Sequence, residues 1–260
     1  MKLLTIEEFE KESKGGQEKE RFLQAGEQRR VEGELTFEVK LPSCGRHGYV
    51  AVVRCRPLKV RDVKALIVTE VLNEIEYVKR VIEVLGSTIV EPKGFDVKEM
   101  SLNDFVKLMV AHRVNSIGSI VELSYDCGSC GLKDQKVSVD LVQLEERVLD
   151  DEYGVDPWVV KGYMYLQSEL EFKFRFPRLS VFWRLASDVR YFDELNDLDL
   201  VRDAYLGDDF EELPFSVYRQ ALERIRRFND YGIQRSVVVR CRGCGKDVKV
   251  FIPFFLLLGQ

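Results

Sequence analysis

Cys127-Gly128-Ser129-Cys130-Gly131 and Cys241-Arg242-Gly243-Cys244-Gly245 are two versions of one pattern, Cys-x-x-Cys-Gly. Strand-like runs flank each: Ile120 to Tyr125 and Lys136 to Leu141 around the first, Val237 to Arg240 and Asp247 to Ile252 around the second. Two thiolates three positions apart across a tight turn can face one ion, and a glycine after the second cysteine lets the backbone pass through positive φ without a Cβ clash. Two such knuckles supply four sulfurs, the full tetrahedral set that a structural zinc ion takes, so Cys127, Cys130, Cys241 and Cys244 are the expected ligands. No open coordination position is implied, and such a metal would hold the fold without doing chemistry.

The knuckles are separated by roughly a hundred residues, far more than the fifteen to twenty of a short zinc ribbon. That distance raises two readings, an internal duplication or a chance or convergent repeat of pattern. With the second knuckle aligned on the first, Leu108 falls on Leu222, Arg113 on Arg227, Asn115 on Asn229 and Gly118 on Gly232, so a helix, a glycine stop and a strand precede each pair. With a different offset, Glu34 to Pro42 echoes Glu169 to Pro177, both alternating apolar and charged residues as strands do and both ended by proline. The expected architecture is α+β: zinc-ribbon-like β-knuckles with packed helices, arranged as two pseudo-twofold halves sharing one metal. Residues 1–33 read as a charged arm, 34–150 as the first half with its knuckle, and 151–260 as the second.

The 260 residues, 45% apolar and 32% charged, suffice for a sizeable core and fit a soluble globular chain. A net charge of −5 gives no electrostatic reason to expect nucleic acid. The most apolar run, Val250 to Leu258, is too short to span a bilayer and contains Pro253. Met1 to Glu10 lacks the features of a signal peptide, which points to a reducing compartment where paired Cys-x-x-Cys motifs read as metal sites.

Along the chain, Thr5 to Gly33 reads either as an arm that orders on docking or as a solvated tail, with Thr5 and Glu8 able to cap a short helix. Strands are expected at Glu34 to Leu41 and Val50 to Arg56, around a loop carrying Cys44 and His47; these two, and Cys55, read as structural or incidental, because no orienting partner for a nucleophile is identifiable. The apolar spacing predicts one long helix over Lys59 to Leu85, stopped by Gly86. Ser101 with Asp104 opens a second helix, whose Phe105, Leu108, Met109 and His112 share a face, with His112 read as structural. A helical region is expected over Ser180 to Leu206, and a helix over Phe215 to Phe228 in which Glu223 is placed to pair with Arg227. Asp208, Asp209, Glu211 and Glu212 read as a solvated loop rather than a catalytic pair. The terminal Ile252 to Leu258 either tucks into the core or sticks to a partner.

The order Leu41-Pro42-Ser43-x-Gly45-x-x-x-Tyr49, a strand, the long helix, a helix with Leu102, Asp104 and Arg113, then Ser116-x-Gly118, a strand and Cys-x-x-Cys resembles the T4-type phage baseplate protein family. The resemblance covers about Leu35 to Leu141, and the second half through its Cys-x-x-Cys and apolar end. It implies a non-enzymatic structural or assembly role at the central hub of a contractile tail, with other hub proteins and the tape measure protein as partners and no small-molecule substrate. It also implies a location in the tail baseplate of the virion, or in the host cytoplasm during assembly.

Two other classes compete. A zinc ribbon that binds nucleic acid needs a basic face, for which Arg235, Arg240 and Arg242 are the candidates. A thiol redox enzyme places its nucleophilic cysteine at a helix N-terminus, whereas both pairs here lie between strands.

Overall fold

A computed structural model describes residues 29–31, 34–67, 74–150, 156–164, 168–184, 197–228 and 230–258. The expected capped helix near Thr5 lies outside these residues. A four-stranded antiparallel sheet has the order β1 (Arg29–Val31), β2 (Glu34–Lys40), β3 (Val52–Cys55) and β4 (Ile89–Glu91). The alternation in β2 buries Phe37, Val39 and, just beyond the strand, Leu41. The sheet extends into the stretch read as an arm, because Arg29 to Val31 pair with Thr36 to Glu34.

The long helix predicted from Lys59 to Leu85 is two helices, α1 (Val60–Ile67) and α2 (Glu74–Gly86), packed against one another. One straight helix cannot do this, since residues seven apart along it are about 10 Å apart. The apolar period is the same in both arrangements and so does not report that the two segments pack on each other. Arg56 and Asp62 form a buried pair at 2.6 Å at the start of α1, where the Lys59 N–H also donates to the Asp62 carboxylate at 2.8 Å.

Helix α3 (Leu102–Ser116) is the central element. Ser101 caps it, its hydroxyl accepting from the Asp104 N–H, and every residue from Asp104 to Val114 except Lys107 is buried. A helix buried along most of its length carries polar residues in its buried faces only where partners await them. His112 meets this condition: Nδ1 donates to the Leu108 carbonyl at 2.9 Å and Nε2 lies 2.7 Å from the Thr88 hydroxyl.

After α3 come the hairpin β5 (Ile120–Tyr125) and β6 (Gln135–Asp140), then β7 (Glu146–Arg147). The hairpin β8 (Trp158–Met164) and β9 (Ser168–Phe174) precedes α4 (Val181–Arg184), α5 (Asp197–Ala204) and α6 (Phe215–Phe228). Strand β10 (Gly232–Ile233) pairs with β7, and the last hairpin is β11 (Ser236–Arg240) and β12 (Asp247–Phe251). Of the expected helical region Ser180 to Leu206, α4 and α5 are described, while Tyr191 and Phe192 lie outside the described residues. The Glu223–Arg227 pair forms at 2.5 Å.

Apolar packing gathers into two clusters. One joins the first sheet, α2, α3 and both cysteine hairpins, and the chain end completes it with Ile252, Phe254, Leu257 and Leu258 buried. The apolar terminus is therefore core. The other draws on Leu149 to Tyr231, with Trp158, Phe174, Phe176, Val217 and Phe228 at its centre. His47 crosses from the first body into the second, its ring 4.9 Å from that of Phe176 and 4.8 Å from that of Phe228. The echo between Glu34–Pro42 and Glu169–Pro177 holds for alternation but not for sheet context: β2 lies between β1 and β3 in a four-stranded sheet, whereas β9 belongs to a two-stranded sheet with β8. Alternation specifies which face is apolar and leaves the partner open.

Candidate metal centre

Each knuckle is the closed end of a hairpin. Tyr125 pairs with Gln135 at the last rung of the first, and Arg240 with Asp247 at the last rung of the second. Within the turns the same two hydrogen bonds recur. The Cys127 N–H donates to the Leu132 carbonyl at 2.9 Å and the Cys241 N–H to that of Lys246 at 2.8 Å. The Gly131 N–H donates to the Cys127 carbonyl at 2.8 Å and the Gly245 N–H to that of Cys241 at 2.9 Å. Gly131 and Gly245 have φ of 71° and 72°, the left-handed conformation that the Cys-x-x-Cys-Gly spacing requires.

Both hairpins pack on the first apolar cluster, which brings their turns face to face. The Sγ atoms of Cys127, Cys130, Cys241 and Cys244 all lie within 4.8 Å of one another. Cys127 Sγ is 3.7 Å from Cys244 Sγ, and Cys130 Sγ is 3.7 Å from Cys241 Sγ. Disulfide sulfurs would be about 2.05 Å apart, whereas sulfurs about 2.3 Å from a central zinc make a tetrahedron with edges of about 3.8 Å. The four cysteines thus fit a tetrahedral metal in size and donor type.

The sulfurs are not equivalent. Cys127 and Cys241 are buried, Cys130 and Cys244 exposed. Cys241 accepts from the Gly243 N–H at 3.3 Å and from Gln135 Nε2 at 3.4 Å. The Cys244 backbone foremost, then Gln135 and Gly243, bring the Cys241 thiol down to about 6 against the opposing effect of desolvation. Cys130 goes the other way, to about 11: the Leu132 backbone lowers it, but desolvation and the three neighbouring sulfurs outweigh that contribution. Such a split follows when four thiols crowd together, since ionising one disfavours ionising the next. A Cβ on Gly243 would lie 3.1 Å from Leu132 Cδ2 and 3.4 Å from Cys130 Sγ, so the second turn sits close over the first.

Cys44 is exposed and Cys55 buried, and neither joins the sulfur group. Asp208, Asp209, Glu211 and Glu212 are exposed, with Glu211 accepting from Arg202 at 2.7 Å. Arg235 stacks over the rings of Phe251 and Phe254, while Arg240 and Arg242 are exposed. Sequence reasoning missed Gln135, whose only local sign is a long polar residue at the start of a strand. No helix among the described residues is long and apolar enough to cross a membrane.

A model of the family described as T4 bacteriophage base plate protein matches residues 34–253. No curated protein and no solved structure matches the chain.

Proposed function

The chain belongs to the T4 bacteriophage base plate protein family, and from that premise we propose that it is a non-enzymatic structural or assembly component of the hub of a contractile-tail baseplate. In this reading Cys127, Cys130, Cys241 and Cys244 hold a structural zinc ion that ties the two hairpins together. The observation that carries the role is the extent of the family match, which runs from β2 to just past β12 and so takes in both knuckles. The tetrahedral spacing of the sulfurs supports the metal, and the lack of an open position on a four-sulfur ion supports a scaffold over a catalyst.

The partners proposed are other hub proteins and the tape measure protein, met in the virion tail or in the host cytoplasm during assembly. The matching turn geometry of the knuckles, each preceded by a helix, supports reading the halves 34–150 and 151–260 as duplicated units, even though the upstream strands sit in a four-stranded sheet in one half and a two-stranded sheet in the other. Affinity purification of the tagged chain from infected cells, with metal analysis of the same sample, tests the proposal. Tail proteins are expected with it, at one zinc per chain; a chain that purifies alone and metal-free at native stability would sink it. The alternative, a zinc ribbon on nucleic acid, predicts binding that weakens steeply between low and high salt. With Arg235 engaged by aromatic rings and a net charge of −5, no such binding is expected.

A further inference from the structure

We infer, on the reading that the four cysteines hold a structural zinc, that Gln135 is the positioning residue of the centre: it fixes Cys241 from the opposite knuckle and makes Cys130 and Cys244 the first sulfurs to let the metal go. Gln135 opens β6 and is 7% exposed, so its amide has to find partners inside the protein. Its Oε1 accepts from the Arg242 backbone N–H at 3.0 Å and from the Tyr125 hydroxyl at 3.3 Å. A backbone N–H can only donate, which assigns the oxygen to that side and leaves the NH2 group as the nearer of the two amide atoms to Cys241 Sγ, at 3.4 Å against 3.6 Å for Oε1. One amide therefore clasps the second knuckle at two adjacent residues while growing from the first.

Its counterpart at the end of the second hairpin is Asp247, which is exposed. The centre is thus asymmetric where its turns are alike. Cys241 is 2% exposed and receives two N–H donors, which disperse thiolate charge and shield the sulfur from protons and electrophiles. Cys130 and Cys244 face solvent. An attacking proton, alkylating agent or chelator reaches them first.

The test uses the full zinc-loaded chain and two variants. Gln135→Glu keeps an acceptor for the Arg242 N–H but puts an acceptor where the donor stood; Gln135→Leu removes both. Zinc transfer to a chromogenic chelator is timed, alkylation by iodoacetamide is followed cysteine by cysteine by mass spectrometry, and the thiolate-to-metal absorption of the cobalt form is recorded. In the wild type, Cys130 and Cys244 are expected to be alkylated first and Cys241 last. Both variants are expected to lose zinc on the order of tenfold faster, the scale on which partners of metal ligands act. Cys241 should then join the early group and the cobalt absorption should shift. If Gln135→Leu does not fold, Gln135→Glu decides. Variants that keep zinc within about twofold of wild type, with Cys241 still last, would overturn the role of Gln135 and leave the metal reading intact. A wild-type chain that takes up no zinc would remove both.

Discussion

The Tyr49 hydroxyl lies 2.5 Å from the Asp104 carboxylate, joining the loop after β2 to the first turn of the central helix. The Ser43 N–H donates to the same carboxylate at 2.9 Å, and the Ser101 N–H donates to the Tyr49 oxygen at 3.1 Å. Ser101 also shares a 2.5 Å hydrogen bond with Tyr231, from the second body. Asp104 is fully buried, and burial raises its carboxyl to about 6 although the bonds from Ser43 and Tyr49 pull it down. Its place in the first turn of α3, at the positive end of the helix dipole, also favours the anion.

Tyr49→Phe takes one donor from this buried carboxylate and is expected to cost about 1–3 kcal/mol. Asp104→Ala strands both donors and should cost at least as much. Urea unfolding at neutral pH measures both. Tyr163→Phe, at a tyrosine 64% exposed, is the control and should stay within about 0.5 kcal/mol of wild type.

Removing the proposed zinc should loosen the joint between the hairpins. Cys127→Ser and Cys241→Ser each leave three sulfurs and are expected to abolish stoichiometric zinc, at a cost of about 4 kcal/mol or more. A strong chelator should lower the thermal midpoint of the wild type and leave that of the variants unmoved. Scanning calorimetry with and without chelator checks this.

Gly131→Ala and Gly245→Ala force a Cβ into the left-handed region, at an expected cost of about 1–2 kcal/mol each. Neither site has an atom within 4 Å of the added carbon, so the cost would be conformational rather than steric. Gly128→Ala has the same open space without the positive φ, and should change stability by less than about 0.5 kcal/mol. Comparing the three by urea unfolding separates the two causes.

The buried histidines make stability pH-dependent. Burial, and then the Arg178 cation, lowers His47 to about 4, and burial lowers His112 to about 4, both from 6.5. Between pH 6 and 4 the unfolded chain binds two protons at these rings that the folded chain refuses. Asp104, raised to about 6 from 3.8, works the other way, because the folded chain there holds a proton that the unfolded chain releases. The net uptake of one proton on unfolding means that these three groups lower stability as pH falls, by about 1.4 kcal/mol per unit. His47→Phe removes one uptake and should flatten the slope by that amount, as read from urea midpoints across pH 4 to 6. The substitution is suited to the site, since His47 sits among aromatic rings with neither nitrogen hydrogen-bonded to a described residue.

Features written in neighbouring residues were legible beforehand. The cysteine spacing with its following glycine gave the turns, Ser101 marked the start of α3, alternation placed Phe37 and Val39 inward, and the three- and four-residue apolar steps gave α1 and α2 as helix. Each is a consequence of local backbone geometry, which a few consecutive side chains suffice to specify. The packing of α1 against α2 escaped because one long helix would show the same apolar period.

Only tertiary packing brought Tyr49 to Asp104, His47 to Phe228 and Gln135 to Cys241. The Ser43, Tyr49, Asp104, Arg113 and Ser116 positions are scattered along the chain, yet in space Ser43 and Tyr49 meet Asp104, Ser116 accepts from the Leu58 N–H, and Arg113 donates to the Ile120 carbonyl. The sequence by itself determined that two sulfur-bearing turns would form, with two thiols each. That the turns face each other, and that a glutamine from one holds a cysteine of the other, was decided by the apolar cluster on which both hairpins pack, because burial fixes where distant elements meet and no local pattern encodes it.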